Sequence, residues 1–176
     1  MTSAVSCIQE LDNSGEKMKE RAKMLLLELI KNSKRSDREI AKVLKVSQPT
    51  ITRTRKRLEK KAIANYTVVP DFPMLGYELM AFTLISSTGA KPDAIAKAKE
   101  WARKRPNIIF ASQGEGMNTS GVMISLHKSF GEYSKFMLGL RRDWLGILKD
   151  VQTFMVSFEE SVMIKPLSLT YLGEAK

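Results

Sequence analysis

The segment Ser36–Lys61 constrains the fold of this 176-residue chain most strongly, because it carries the start signals of two short helices. Ser36 precedes Glu39 by three positions. This is the spacing of a capping box, in which a hydroxyl and a carboxylate bond the free backbone N–H groups at a helix start. Ser47 and Pro49 restart the helix further on, since proline is tolerated in a first turn. The pattern predicts two helices joined by a tight turn.

The second of these helices has one apolar edge and a strongly basic flank. Ile51 and Leu58 are seven residues apart and therefore share a face. Six of the nine residues from Arg53 to Lys61 are Lys or Arg. For an isolated run of charge, a solvated surface helix is the alternative. The second helix of a helix-turn-helix, however, is the one that meets the DNA major groove, so its position in the motif favours DNA binding.

The net charge of +10 is concentrated in the same part of the chain. Residues 1–70 carry 16 basic and 8 acidic side chains, whereas residues 71–176 carry 13 and 11. This asymmetry indicates that the first part alone meets a polyanion. The single cysteine, Cys7, excludes an internal disulfide and a cysteine-based zinc site, which fits a reducing cytosol. No segment has the pattern of a membrane span or signal peptide, so we expect a cytoplasmic protein without a membrane partner.

The segment SDREIAKVLKVSQPTITRTRKRLEKK resembles the winged helix-turn-helix of the Lrp/AsnC (leucine-responsive regulatory protein) family of bacterial and archaeal transcription regulators. The match is specific over Ser36–Leu58 and includes the S-x-P-T restart. Two positions depart from the family pattern. Arg55 stands where the family has a buried aliphatic residue, so Thr54 or the aliphatic stem of Arg55 has to fill that space. Lys61-Ala62-Ile63 replaces the family's glycine after the helix.

The rest of the chain predicts an α+β protein in two domains. Asn13 and Ser14 cap a supporting helix that runs to about Asn32 and bears a broad apolar side. Ile63–Val69 is expected to form the wing. The second half alternates strands and helices in the order β-α-β-β-α-β, which is the ferredoxin-like arrangement and resembles the family's RAM domain. Its predicted elements are Leu79–Ser86, Pro92 to about Arg105, Asn107–Gln113, Thr119–Lys128, Phe130 to about Trp144, and Val151–Glu159.

These elements divide the chain into a DNA-binding domain over residues 1–69, a hinge over 70–78, and a RAM-type dimerisation and effector domain over 79–176. The predicted strands place apolar residues on both faces of the sheet, although the helices of this fold cover only one. We therefore predict a homodimer that pairs the second face with itself, with tetramers or octamers as further assemblies. The alternative is that the C-terminal tail Val162–Leu172 folds over that face.

The candidate DNA contacts follow from the chemistry of the helix-turn-helix. Gln can bond adenine and Arg guanine in the major groove, and Thr methyl groups can touch thymine, whereas Lys and Arg on phosphates set the affinity. We expect base contacts from Gln48, Pro49, Thr50, Thr52 and Arg53, and phosphate contacts from Lys56, Arg57 and Lys60. Weaker candidates for contacts with the DNA phosphate backbone are Ser36, Arg38 and the wing residue Asn65.

The segment Gly114–Asn118 is predicted to form the turn between two strands, through Gly114-Glu115-Gly116. In the Lrp/AsnC family the corresponding segment carries a glycine-acid-aromatic-acid motif, near which an amino-acid effector sits. Here Gly114 and Glu115 match the first two positions of the motif. Gly116 or Met117 replaces the aromatic residue, and Asn118 replaces the second acid. An ordinary hairpin is the alternative. If an effector binds, the expected polar groups are those of Glu115, Asn118, Thr119 and Ser120.

The resemblance implies a dimeric, sequence-specific transcription regulator that binds double-stranded DNA and is modulated by a small molecule. It implies neither enzymatic activity nor a cofactor. His127, the only histidine, has no visible metal-ligand or catalytic partner and is expected to be structural. Two alternatives remain open: a non-specific DNA-packaging protein, and an enzyme similar to the sirohaem decarboxylases that share this architecture.

Overall fold

The computed structural model describes residues 20–88 and 92–174, which form two compact units. The helical unit contains residues 20–69 together with 166–174, and the sheet unit contains the described residues from 70 to 165. The sequence predicts a single sheet domain over residues 79–176 that includes the C-terminal segment. The last helix of this segment instead packs against the first helix of the helical unit. Within the described chain, no helix is long and apolar enough to cross a membrane.

Three helices form the core of the helical unit: α1 (Glu20–Lys31), α2 (Asp37–Leu44) and α3 (Gln48–Lys61). The predicted caps of the first helix, Asn13 and Ser14, lie outside the described residues. The capping box of α2 is confirmed, with bonds in both directions between Ser36 and Glu39. Ser47 is the N-cap of α3, and Pro49 lies in its first turn as predicted. The core residues are Ala22, Leu25, Leu29, Ile40, Ala41, Ile51 and Leu58.

The predicted wing is wrong as a β structure. Residues 62–71 contain no strand, and the sheet of the described chain is built from four strands that all lie further on. The backbone N–H groups of Ala62 and Ile63 both bond the carbonyl of Leu58, so the chain leaves α3 by closing its last turn. Without a glycine there to reverse direction, no partner strand forms, and Asn65 lies in an exposed irregular segment.

The sheet unit has the predicted β-α-β-β-α-β order. Its strands pair antiparallel in the order β2-β3-β1-β4, and the two helices contact β2 and β3. The apolar core that the helices bury contains Met123, Met137, Leu140 and Trp144. The observed elements are β1 (Leu79–Ser87), α4 (Pro92–Arg103), β2 (Ile108–Gly116), β3 (Thr119–His127), α5 (Phe130–Asp143) and β4 (Leu148–Ser157), and a short helix α6 (Thr170–Glu174) closes the described chain in the helical unit.

The turn between β2 and β3 lies further along the chain than predicted. Gly116 still pairs with Thr119, so the two central turn residues are Met117 and Asn118. Both have positive φ, 51° and 56°, as a two-residue hairpin of this type requires. Glu115 therefore belongs to strand β2 rather than to the turn.

The second face of the sheet is apolar, as the strand patterns indicated. Phe82 is paired with Ile124 on one side and Phe154 on the other, and Ile124 is paired with Phe110. These four side chains form a row across all four strands. Phe110 is 50% exposed and Phe154 70%. The part of the tail that belongs to the sheet unit does not cover them, because Val162 and Ile164 are 89% and 95% exposed.

Candidate nucleic-acid interface

Helix α3 buries one side in the helical unit and exposes the other. Ile51 and Leu58 are 3% and 4% exposed, and they fix the inward face. The predicted contact residues on the outward side are exposed, as are the two candidates at the start of α2. These exposed residues are Ser36, Arg38, Gln48, Pro49, Arg53, Lys56, Arg57 and Lys60.

The two threonines of the predicted interface are half-buried, and their hydroxyl groups are engaged inside the protein. The hydroxyls of Thr50 and Ser47 lie 2.8 Å apart. The Thr52 hydroxyl donates to the carboxylate of Asp37 at 2.6 Å, and the carbonyl oxygen of Gln48 lies 3.1 Å away as an alternative acceptor. What the two threonines can offer DNA is therefore the methyl contact proposed from the sequence, while the Thr52 hydroxyl holds α3 to α2.

The four cations of α3 that were predicted to contact DNA have no acidic partners. Within the described chain, neither Arg53, Lys56, Arg57 nor Lys60 makes an ion pair. The Arg53 Nε makes only a long bond of 3.4 Å to the Pro49 carbonyl. A row of unneutralised cations on one helix face attracts a polyanion and releases its counterions on binding.

Two acids of the helical unit, Glu28 and Asp37, are paired with other cations. Glu28 is 7% exposed and pairs with Lys31 at 2.7 Å and with Arg35. The hydrogen bond from Lys31, together with the charges of Lys31 and Arg35, holds the pKa of Glu28 below its usual range, although burial acts in the opposite direction. Asp37 pairs with Arg55 at 2.8 Å. The internal ion pairs therefore leave the outward cations of α3 unscreened.

Sequence reasoning missed the role of Arg55. Its side chain is 19% exposed and points toward Asp37 and the backbone carbonyl of Arg35, to which it donates at 2.8 Å. The aliphatic position of the family pattern is thus occupied by a paired guanidinium. The signal in the sequence was Asp37, an acid in the first turn of α2 that faces a helix full of cations.

The predicted effector residues lie around the β2–β3 hairpin. Glu115 and Asn118 are exposed, whereas Thr119 and Ser120 are half-buried. Thr119 donates to the carbonyl of Gly116 at 2.7 Å, and Ser120 donates to that of Ile85 at 3.2 Å. The Thr119 hydroxyl therefore closes the hairpin and the Ser120 hydroxyl ties β3 to β1, while the Glu115 carboxylate is the charged group that the hairpin presents to solvent.

His127 is fully buried beneath α5. Its Nε2 lies 2.9 Å from the hydroxyl of Ser125, and its ring packs against Tyr133 and Phe136 at centroid distances of 5.3 and 5.1 Å. Burial lowers the pKa of the His127 imidazole, which favours the neutral ring. In the part of the chain that the structure describes, no cluster of three or more His, Cys, Asp and Glu side chains could hold a metal ion.

These features define the class of the protein: a helix-turn-helix unit with a free cationic helix, joined to a ferredoxin-like sheet unit. Residues 17–64 match the family model of the homeodomain-like domain. No curated protein matches the chain.

Solved structures with the same two-unit fold include an AsnC-family transcriptional regulator from Agrobacterium tumefaciens, with 15% identity over 88% of this chain and 99% of that one and a TM-score of 0.69. A transcriptional regulator from Neisseria meningitidis in complex with L-methionine has 21% identity over 89% and 99%, with a TM-score of 0.70. AsnC of Escherichia coli has 19% identity over 85% and 98%, with a TM-score of 0.66. The chain has the fold of the Lrp/AsnC transcription regulators, which confirms the fold that the sequence resemblance implied.

Proposed function

We propose that this protein is a transcription regulator of the Lrp/AsnC type that binds double-stranded DNA through the outward face of α3. The observation that carries the proposal is the set of exposed cations without acidic partners, Arg53, Lys56, Arg57, Lys60 and Lys61, on the second helix of a helix-turn-helix. A helix placed in this way enters the major groove with its N-terminal residues at the bases.

The roles of the individual residues follow from their position along α3. Gln48 and Arg53 lie toward the N-terminal end, where bidentate bonds to adenine and guanine are possible. Lys56, Arg57 and Lys60 lie further along and are assigned to phosphates, which set affinity and salt dependence without choosing sequence. Ser36 and Arg38, at the start of α2, are assigned to the same backbone.

The sheet unit is assigned to assembly. The row formed by Phe82, Phe110, Ile124 and Phe154 is apolar and partly exposed, and a two-fold axis would pair it with itself. A homodimer then carries two copies of α3, and these would meet two half-sites about one helical turn of DNA, or a multiple of it, apart. Tetramers or octamers would extend the same arrangement.

The β2–β3 hairpin is assigned to an amino-acid-like effector, through Glu115, Asn118, Thr119 and Ser120. Two observations support this: the exposed Glu115 carboxylate can pair with an α-amino group, and one solved neighbour of the same fold was crystallised with L-methionine. Equilibrium dialysis of the whole chain against a labelled amino-acid mixture, with Glu115→Gln as control, tests this assignment. Retention of the same amino acid by both chains would contradict it.

The DNA assignment is tested by comparing Arg53→Ala with Lys60→Ala. Both changes remove one exposed cation from α3, so they are matched in charge. Arg53→Ala is expected to relax base preference at one position, at a cost of about 1–3 kcal/mol. Lys60→Ala should weaken binding to all sequences alike and reduce the salt slope by about 0.9. Equal effects of both changes on preference and slope would contradict the division of roles.

A further inference from the structure

A connected set of ion pairs and hydrogen bonds links all three helices of the helical unit. It begins on α1, where the nearly buried Glu28 pairs with Arg35. The backbone carbonyl of Arg35 accepts from Arg55 on α3 at 2.8 Å. Arg55 Nε also lies 2.8 Å from Asp37 at the start of α2, whose second carboxylate oxygen accepts from Thr52 at 2.6 Å. The recognition helix is therefore attached to α2 by two side chains that are three positions apart.

The central pair of this set is shielded from solvent. The side chains of Arg55 and Asp37 are 19% and 20% exposed. Breaking such a pair leaves one partly buried charge without its partner, which is more costly than losing an exposed pair. Thr52 and Arg55 fall on one side of α3, since residues three apart on a helix are neighbours. The contacts thus restrain the rotation of α3 about its own axis as well as its distance from α2.

We infer that Asp37, Thr52 and Arg55 are positioning residues that set the angle at which α3 offers Gln48 and Arg53 to the bases, and that Arg55 does not contact DNA. The inference rests on the proposed function. Thr52 precedes Arg53 directly, so a restraint on Thr52 acts on the part of the helix that is assigned to the bases. Both carboxylate oxygens of Asp37 contact side chains of α3. The charge of Arg55 is therefore balanced inside the protein, whereas the neighbouring Lys56 is exposed and unpaired.

The test compares Arg55→Met with Lys56→Met in the full-length chain. Both changes replace a cation by an unbranched apolar side chain at adjacent positions of α3, so they are matched in charge and helix propensity. The probes are a duplex selected by the wild-type chain from random DNA and variants of it with single base-pair changes. Binding to each is measured over a range of salt concentrations, and folding is checked by circular dichroism and thermal unfolding.

Lys56→Met is expected to reduce the salt slope by about 0.9 and to leave the ranking of the duplexes unchanged. Arg55→Met is expected to leave the slope at its wild-type value and to reduce the preference for the selected duplex about tenfold or more, which is the size of one mismatched base pair. A purely structural role would lower thermal stability without changing the ranking among duplexes. Thr52→Val, which removes the hydroxyl at nearly constant volume, should change the ranking in the same direction, and it serves as the test if Arg55→Met does not fold.

Three results would overturn the inference. A salt slope that falls as much for Arg55→Met as for Lys56→Met would place Arg55 on a phosphate. An unchanged ranking of duplexes in both Arg55→Met and Thr52→Val would show that the contacts to Asp37 do not set base preference. A wild-type chain that binds DNA but prefers no duplex would refute the proposed regulator itself, and the wild-type control separates this outcome from the other two.

Discussion

The helical unit and the sheet unit expose surfaces of opposite character, one cationic and the other apolar. In the helical unit Glu28 and Asp37 form internal ion pairs, and the outward face of α3 is cationic. In the sheet unit the face opposite the helices is apolar, with Phe110 and Phe154 half or more exposed. A cationic face suits a polyanion and an apolar face suits a protein partner. The contrast predicts that removing cations from α3 weakens DNA binding without changing assembly, whereas assembly depends on the apolar face of the sheet.

The largest effect is expected from Phe154→Asp. Burial of a phenylalanine is worth about 2 kcal/mol, and a two-fold interface loses two of them. The dissociation constant of the dimer should therefore rise roughly a thousandfold. Sedimentation equilibrium at micromolar concentration is expected to give the dimer mass for the wild-type chain and the monomer mass for the variant.

Leu138→Asp is the matched control for that change. Leu138 lies on α5 in the same unit and is 66% exposed, close to the 70% of Phe154. The Leu138→Asp variant should keep the dimer mass. If Phe154→Asp stays dimeric, or if Leu138→Asp dissociates the dimer, the assembly face has been assigned to the wrong side of the sheet.

A smaller effect, of opposite sign in the two units, is expected from replacing a helical glycine by alanine. In α6 a Cβ on Gly173 would lie 2.6 Å from Lys31 Cγ and 3.0 Å from the Leu27 carbonyl oxygen, whereas a Cβ on Gly139 in α5 would meet nothing within 4 Å beyond its chain neighbours and the backbone of its own helix. Gly173→Ala should cost about 1–3 kcal/mol by overpacking. Gly139→Ala should stabilise its unit by about 0.5–1 kcal/mol, because alanine favours a helix.

Amide hydrogen exchange, with a separate reading for each unit, checks both glycine changes. Faster exchange at α1 and α6 in Gly173→Ala, with no change in the sheet unit, would support the packing of the C-terminal helix on α1. Protection of α1 that equals the wild type would show that α6 does not pack there.

The smallest difference expected is in the response to acid. Burial lowers the pKa of His127. Below about pH 6.5 its imidazole is therefore protonated in the unfolded chain but stays neutral in the folded chain. The free energy of unfolding of the sheet unit should therefore fall as the pH falls below that value. For Glu28 the folded pKa is depressed, so its contribution to the helical unit persists above the ordinary carboxyl range and is lost only when the pH falls through the folded pKa.

Urea unfolding followed by tryptophan fluorescence measures the acid response of the sheet unit alone, because both tryptophans, Trp101 and Trp144, lie there. The midpoint should decrease from pH 8 to pH 5 in the wild-type chain and change less in His127→Gln. A wild-type midpoint that is constant over this range would contradict the buried neutral imidazole.

Local signals in the sequence were sufficient for the elements and their order. The Ser36–Glu39 box, the restart at Pro49 and the strand–helix alternation each depend on neighbours a few positions away, and each is confirmed. The features that were missed depend on distant partners. The Asp37–Arg55 pair joins positions 18 residues apart, and α6 packs against a helix at the other end of the described chain.

The two errors near turns have a different cause. The prediction of a β wing is wrong because a strand needs a partner, and Ile63–Val69 has none in the described sheet. The hairpin turn lies at Met117 and Asn118 and not at the predicted glycines, because both residues adopt positive φ. Gly114 and Gly116 are the stronger local signal for a turn in the sequence. The outward face of α3 was predicted from its charge, whereas the internal use of the Thr52 hydroxyl could not be, since it depends on where Asp37 lies in the fold.

Sequence-specific DNA binding is tested most directly by selection of bound duplexes from a random DNA pool by the wild-type chain, followed by competition against bulk DNA at physiological salt. A dimeric regulator is expected to select one preferred sequence, built of two half-sites about one helical turn or a multiple of it apart, and to bind it about a thousandfold or more tighter than bulk DNA. Equal affinity for selected and bulk DNA would contradict this expectation, and would favour the packaging protein instead.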